Sequence, residues 1–395
     1  MDTAAARAKV FGSATLAGLT LRNRVIKTAT YEGMTPGGVP SPALIAHHRA
    51  IAAGGVGMTT VAYCAVSPNG RTFAEQMYMR EAIVPALGEL TASVRAAGAA
   101  SSLQLGLCGY FSKNREMGRR PLGPSRAFNG YGLMAGMPLA RAMTEPDIAT
   151  VVGEFGRAAE LAMQAGFDAV EIHLGHGYLL SQFLSPAINR RRDQWGGSLD
   201  NRMRLPLAIL ARVRAAVGAR VPIIAKTNLR DGFRGGLELE EAVGVAQRLE
   251  AAGIDAIELS GGFTSISPFY LFRGARPLKE MIEVEKSRLQ KLSLRFFGRR
   301  LIREYPFEEM FFLDQARAVR AAVKVPLILL GGILSLDNLE TAMREGFDFV
   351  AMGRALIADS DLIVRMQRGE ATRSRCTSCN KCVAEMDRGG VRCVL

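Results

Sequence analysis

The chain has 395 residues, of which 48% are hydrophobic and 22% are charged, and its formal net charge is +13. This length allows one large domain or two ordinary ones. No apolar run reaches the roughly eighteen residues that a membrane span needs, and the N-terminus lacks the long apolar segment of a secretory signal. We therefore expect a cytoplasmic protein. The arginines are spread through helical patterns without interleaved aromatic residues, so we expect anionic small molecules rather than nucleic acid as ligands.

Short apolar runs alternate with Ala-, Leu- and Arg-rich helical patterns along the chain. The predicted strands cover residues 24–30, 56–62, 101–106, 169–173, 222–227, 256–260, 326–330 and 349–352. The predicted helices cover residues 42–53, 80–97, 145–165, 200–217, 239–252, 312–323, 336–345 and 360–368. Eight strand–helix units indicate an α/β protein built as a (β/α)8 TIM barrel. The alternative is a doubly wound sheet, but the glycine fingerprint expected after its first strand is missing.

Two long segments interrupt this alternation. Residues 107–144 follow the third strand, and residues 261–311, which mix aromatic and basic side chains with a helical stretch at 281–291, follow the sixth. Loops of this length in a compact domain are usually lids or binding elements. We expect residues 1–370 to form the barrel and the cysteine-rich residues 371–395 to form a tail packed on it.

Glycine-rich turns follow the last two strands. Gly331 and Gly332 come after the seventh strand, and Gly353 and Arg354 come after the eighth. In TIM barrels these two loops commonly bind phosphate. Small residues let backbone N–H groups approach the anion, and an arginine supplies paired donors. The sequence therefore predicts a phosphate site here.

The segment at residues 171–204 places His173, His176 and Tyr178 directly after the fourth strand. In a parallel barrel this end of the strands carries the catalytic groups. The segment resembles the signature of the old yellow enzyme family, which consists of FMN-dependent oxidoreductases on a (β/α)8 barrel. The motifs LRNRV at 21–25, VSPNGR at 66–71 and GRALIAD at 353–359 resemble the same family. The resemblance implies FMN as cofactor and NAD(P)H as co-substrate.

The resemblance also implies which residues contact the flavin. Thr30 matches the position that bonds the ring near N5 or O4, with the backbone of Thr28 and Ala29 lining the ring. Gln104 matches the glutamine that contacts the pyrimidine edge, and Lys226 matches a basic residue beside N1 and O2. A salt bridge inside the barrel mouth stays an alternative for Lys226. The turns at Gly331, Gly332, Gly353 and Arg354 match the phosphate site.

The predicted substrate groups come from the same resemblance. His173 and His176 match the pair that holds a carbonyl oxygen, and Tyr178 matches the proton donor. This implies an ene-reductase that passes hydride from NAD(P)H through flavin N5 to the activated C=C bond of a small molecule. Tyr63 resembles the aromatic pocket residue of the trimethylamine dehydrogenase branch. A metal-dependent hydrolase using the two histidines, a packing role for Tyr178 and a non-catalytic flavin-binding protein stay open.

Four of the six cysteines lie in the last twenty residues: Cys376, Cys379, Cys382 and Cys393. In a cytosolic chain such clustering indicates metal or redox chemistry. The spacing resembles the 4Fe–4S segment of trimethylamine dehydrogenase and 2,4-dienoyl-CoA reductase, although zinc or no metal stay alternatives. With a cluster, the chain would be an iron–sulfur flavoprotein dehydrogenase of an amine or enoyl-CoA that passes electrons to a partner protein. The sequence leaves a homo-oligomer open.

Overall fold

The computed structural model describes residues 1–118 and 120–395. Its central element is a closed barrel of eight parallel strands, each hydrogen-bonded to the next in the sequence, with the last bonded to the first. The strands are β1 Val25–Lys27, β2 Met58–Ala65, β3 Ala100–Gly106, β4 Ala169–Leu174, β5 Ile223–Asn228, β6 Ala256–Ser260, β7 Leu327–Leu329 and β8 Phe349–Met352. The predicted TIM barrel is therefore confirmed.

Helices surround the barrel in the predicted order. They are α1 Pro42–Ala53, α2 Val84–Ala96, α3 Glu145–Gln164, α4 Leu199–Val217, α5 Leu239–Ala251, α6 Leu313–Ala322, α7 Leu336–Arg344 and α8 Leu362–Arg368. Side-chain caps fix several starts: the Thr144 hydroxyl accepts a hydrogen bond from the Asp147 amide at the start of α3, which satisfies an amide that the helix leaves free. Apolar residues on the inner faces, such as Val151 and Phe155, are buried against the strands.

The first strand is shorter than predicted. It ends at Lys27, one residue before the Thr28 amide donates to the Met352 carbonyl of β8 at 3.0 Å. The Thr28 hydroxyl donates to Glu258, and the Thr30 hydroxyl donates to the carbonyl of Thr28 at 3.2 Å. Such side-chain bonds compete with ladder pairing. This places Thr28 and Thr30 at the barrel mouth.

A helix and a hairpin near the N-terminus, which the sequence patterns did not predict, close the end of the barrel opposite to the mouth. A helix, Thr3–Phe11, precedes an antiparallel hairpin of Ala14–Leu16 and Leu19–Leu21. Leu16 and Leu21 belong to the same buried apolar cluster as Ile26, Met58, Ile224 and Phe349 from the barrel strands. Because apolar side chains plug this end, the polar interior groups described below belong to the other end.

The two long segments carry their own structure. Three short strands, Leu122–Gly123, Ala127–Phe128 and Leu139–Ala142, form a small sheet after β3. After β6 there are two helices, Leu278–Val284 and Arg288–Leu301, where a single stretch at 281–291 was expected. They separate because Ser287 starts the second helix, its hydroxyl accepting from the Gln290 amide at 3.3 Å.

The cysteine-rich tail lies along the barrel rim. The Ser374 amide donates to the Leu334 carbonyl at 2.8 Å, and the Val391 amide donates to the Glu32 carbonyl at 2.7 Å. Between these contacts the chain forms a short helix, Lys381–Glu385. Across the described ranges, no helix is long and apolar enough to cross a bilayer.

Candidate active site

His173 lies near the end of β4 with its ring buried and its tautomer fixed by the backbone. The Gly175 amide donates to His173 Nδ1 at 3.4 Å, and the residue is 3% exposed. In a neutral imidazole one nitrogen accepts and the other carries the proton. Because Nδ1 accepts here, Nε2 is the N–H donor that His173 offers to a ligand.

His176 is held in place by its backbone and by a serine. Its φ of +58° lies in the left-handed region, and its amide donates to Asn228 Oδ1 at 2.9 Å. His176 Nε2 and Ser260 Oγ share a hydrogen bond of 2.7 Å. Asn228 is fixed in turn by donating to Asp231 Oδ1 at 2.8 Å. The ends of β5 and β6 therefore position an imidazole that belongs to the loop after β4.

The ring of Tyr178 lies between those of His173 and Tyr63 in one aromatic cluster. Its ring centroid is 4.7 Å from that of His173 and 4.8 Å from that of Tyr63, and the rings of His173 and His176 are 4.9 Å apart. Ala29 and Tyr178 both pack against the buried cluster that contains Tyr63. The Tyr63 hydroxyl already donates a hydrogen bond to the Gly70 carbonyl at 2.6 Å. Tyr63 therefore contributes its ring to the site, and its hydroxyl proton is used elsewhere.

Burial keeps His173, His176 and Tyr178, the side chains predicted to contact the substrate, uncharged. It lowers the pKa of His176 to about 3 and lowers that of His173 well below its ordinary value, with the charges of His176 and Lys226 adding to the effect. Burial also raises the pKa of Tyr178 above its ordinary value. At neutral pH the site therefore contains two neutral imidazole donors and a protonated phenol.

Beneath these rings, Lys226 is buried between two glutamates. Its Nζ lies 3.0 Å from Glu171 Oε1 and 3.2 Å from Glu258 Oε1, and it donates to Thr28 Oγ1 at 2.9 Å. Burial lowers the pKa of Lys226, but the two carboxylates outweigh it and leave the pKa raised. The alternative of a salt bridge inside the barrel mouth is therefore what the structure contains, and the ammonium group stays charged.

Sequence reasoning missed the two glutamates. Gln104 Nε2 donates to Glu171 Oε1 at 2.6 Å, so the predicted glutamine belongs to the same network. Within the described residues, Glu171 Oε2 and Glu258 Oε2 are buried without a hydrogen-bond partner. Buried carboxylate oxygens are costly when unpaired. Burial raises the pKa of Glu171 to about 8, with the Glu258 carboxylate adding to the shift and the charge of Lys226 opposing it, so the two neighbouring carboxyl groups can share one proton. The sequence does contain a sign of this network, because each of two apolar strands includes one glutamate. A glutamate is rarely buried unless it has a partner.

The glycine turns meet at the adjoining part of the rim. Gly331 and Gly332 have φ of +110° and +72°, and a Cβ at Gly353 would lie 3.3 Å from Thr28 Cγ2. The amides of Gly332, Gly353 and Arg354 donate to no acceptor in the part of the chain that the structure describes. Free amides at a turn that starts a helix suit an anion. The residues present therefore fit the phosphate of FMN, and the network around Lys226 fits the polar edge of its ring.

Arg354 connects the glycine turns to the cysteine tail. Its Nη1 donates to the Arg273 carbonyl at 2.8 Å and to Asn380 Oδ1. Burial lowers its pKa, while three nearby cysteines act in the opposite direction. The guanidinium thus faces the cysteine tail.

All four tail cysteines line one small pocket of about 20 Å³, together with Arg354 and Asn380. Burial raises the pKa of Cys382 to about 11, and Arg354 opposes this shift. Within residues 1–118 and 120–395, no three His, Cys, Asp or Glu side chains are arranged to hold a single metal ion. The thiols surround a space instead of meeting at one point, and the histidine pair likewise forms no mononuclear metal site among these residues.

A family model described as "NADH:flavin oxidoreductase / NADH oxidase family" matches residues 9–263. The chain belongs to this family. The predicted resemblance is confirmed, and the chain is an NAD(P)H-dependent FMN oxidoreductase.

The named relatives differ in activity. A 4,4'-dithiodibutanoate disulfide reductase of Rhodococcus erythropolis is 43% identical over 396 residues, covering 100% of this chain and 96% of the relative. An NADH oxidase of Thermoanaerobacter brockii is 31% identical, covering 94% of this chain and 52% of its own length. The solved histamine dehydrogenase from Rhizobium sp. 4-9 is similar in fold, with a TM-score of 0.82 at 23% identity, covering 98% of this chain and 52% of that one. The chain thus spans about half the length of the last two proteins.

Glu258→Gln should raise the midpoint potential of bound FMN by roughly 30–60 mV, because removing one carboxylate leaves more of the Lys226 charge to stabilise negative charge on the reduced ring. Spectroelectrochemical titration measures this. Glu89→Gln is the matched control, since Glu89 is exposed on the outer helix α2. An unchanged or lowered potential would contradict the placement of the ring above Lys226.

The neutral histidines make a prediction for pH. Because the pKa of His176 is about 3, the rate at which substrate reoxidises the flavin should show no inflection at the ordinary histidine pKa of about 6.5. Stopped-flow measurements from about pH 5.5 to 9 test this. An inflection near 6.5 that disappears in His176→Asn would contradict the buried neutral imidazole.

Proposed function

We propose that the mouth of the barrel holds FMN, with Thr28, Ala29, Thr30, Tyr63, Gln104 and Lys226 around the ring and Gly331, Gly332, Gly353 and Arg354 around the phosphate. When bound, FMN accepts hydride from NAD(P)H and passes it to a second substrate. The support for this placement is that the free turn amides and the polar network around Lys226 lie at the same end of the barrel. The phosphate of such a cofactor would accept from the turn amides, and the charge of Lys226 would lie near the polar edge of its ring.

The further proposal is that the second substrate is an activated alkene such as an enone or enoyl ester. His173 Nε2 and an N–H of His176 would donate to its carbonyl oxygen, where negative charge develops. Preorganised donors of this kind contribute about 3 kcal/mol each to transition-state stabilisation. Tyr178 would supply the proton to the α-carbon. The observation that carries this proposal is the pairing of two neutral imidazoles with a protonated phenol in one buried cluster.

A disulfide is the second candidate substrate, favoured by the 43% identity to a disulfide reductase over nearly all of both chains. A hydride and one proton convert a disulfide into two thiols. The same groups would serve, since Tyr178 protonates the departing thiolate and the imidazoles bind a polar substituent. Reoxidation of the reduced enzyme by cyclohexenone and by 4,4'-dithiodibutanoate, compared in stopped flow, decides between the two.

Tyr178→Phe should slow reoxidation of the flavin by the preferred substrate roughly 100-fold, because this half-reaction needs the phenolic proton. Reduction of the flavin by NAD(P)H does not need that proton and should stay within about twofold. Rapid-mixing spectroscopy of the flavin follows each step separately.

Tyr110→Phe is the matched control, since the Tyr110 hydroxyl is already bonded to Ser265 Oγ at 2.7 Å. It should change neither step substantially. Equal losses in both steps of Tyr178→Phe would show a structural role instead of proton donation.

We also propose that Cys376, Cys379, Cys382 and Cys393 hold a 4Fe–4S cluster. The support is that the four thiols line one cavity with a buried arginine, whose charge favours thiolates. A cluster there would let electrons leave the flavin toward a partner protein. A cluster at this position is compatible with either the alkene or the disulfide as substrate.

Protein purified without oxygen should then contain about four irons per chain. Cys379→Ser should lose the iron and its broad visible absorbance while keeping FMN. Cys64→Ala, which removes a buried thiol of β2, should keep both. Fully flavinated protein that lacks iron under these conditions would exclude the cluster.

A further inference from the structure

One helix of the long segment after β6 presents an apolar face to solvent. In Arg288–Leu301, Leu289 is 59% exposed, Leu292 is 50% exposed and Phe296 is 74% exposed. These residues are three and four positions apart, so they share one side of the helix. Phe297, which is 58% exposed, extends this surface. Large apolar side chains aligned in this way on a soluble surface mark a binding face.

The same helix is strongly basic. From Lys286 to Arg303 the sequence contains seven lysines and arginines and no acidic residue. Arg288, Arg295, Arg299 and Arg300 are exposed. Arg299 and Arg300 lie three and four residues after Phe296 and so continue the same side of the helix. Apolar residues bordered by cations are the composition of helices that lie in a membrane interface and prefer anionic lipids.

The helix is fixed to the enzyme by its opposite side. A Cβ at Gly298 would lie 2.6 Å from Leu278 Cδ1, so the two helices are in close contact there. Arg276 Nη1 donates to the carbonyls of Arg299 at 3.1 Å and Ile302 at 2.6 Å. The first helix is tied to the cysteine tail by ion pairs of Glu280 with Lys381 at 3.2 Å and Glu283 with Arg388 at 2.8 Å. The exposed face is therefore carried by a folded support.

We propose that Arg288–Leu301 docks the protein on an anionic lipid surface, with Leu289, Leu292, Phe296 and Phe297 entering the interface and the flanking arginines contacting lipid phosphates. Charge decides against the obvious alternative, a second copy of this chain. Each copy carries a net charge of +13, and pairing this face with itself would bring two basic helices together. Docking is peripheral and needs no membrane-spanning helix.

The test uses full-length holoprotein and sedimentation with lipid vesicles. Binding to vesicles of equal parts phosphatidylglycerol and phosphatidylcholine should exceed binding to pure phosphatidylcholine by at least about tenfold, and should fall as salt is raised from 0.05 to 0.5 M. Phe296→Ser combined with Phe297→Ser should weaken binding at least about tenfold, whereas Phe296→Leu with Phe297→Leu should retain it.

A charge-matched pair of variants tests the arginines. Arg299→Gln with Arg300→Gln should weaken binding, and Arg220→Gln with Arg368→Gln, which removes two exposed charges elsewhere, should weaken it less. Absence of vesicle binding, or binding that the serine variant leaves unchanged, overturns the proposal. A dimer in analytical ultracentrifugation that the serine variant dissociates would also overturn it, by assigning the face to a contact between copies.

Discussion

Lys226 lies inside the barrel with its ammonium group between Glu171 and Glu258, so three neighbouring strands each contribute one ionisable group to a buried interior. A charge in such a place is tolerated only with partners, and removing one partner of a buried pair costs about 3–5 kcal/mol. The network therefore depends on β4, β5 and β6 being in their present register. Two glutamates against one lysine also leave acceptor oxygens unused. The floor of the site is polar, acidic and fixed before any ligand binds.

The upper part of the site depends on the loops above this floor. Gln182 donates to the carbonyls of Cys108 at 2.8 Å and Gly177 at 2.7 Å, and its Oε1 accepts from the Tyr110 amide at 3.1 Å. One buried side chain thus joins the loop after β3 to the loop that carries His176 and Tyr178. Burial by these loops is also the cause of the uncharged state of His173, His176 and Tyr178. The same packing of loops therefore fixes the positions of these side chains and keeps them uncharged.

The sequence alone could predict the barrel and the family, because both depend on local patterns. Strand–helix periodicity gave the fold, and the motif around His173 gave the family. The network around Lys226 could not be derived in the same way, since Glu171 and Glu258 meet only through the register of strands more than fifty residues apart. The N-terminal hairpin was missed because three-residue strands carry little periodicity. The break between the two helices after β6 depended on one serine cap.

The left-handed backbone at His176 restricts which residues can replace it over evolution. Bulky and β-branched residues are strained at a φ of +58°, whereas asparagine, aspartate and glycine adopt such angles readily. Of these three, only asparagine retains a neutral N–H donor in its side chain. Divergence at this position can therefore exchange one donor for another without rebuilding the loop, and such an exchange offers a direct route to a new substrate preference on an unchanged scaffold.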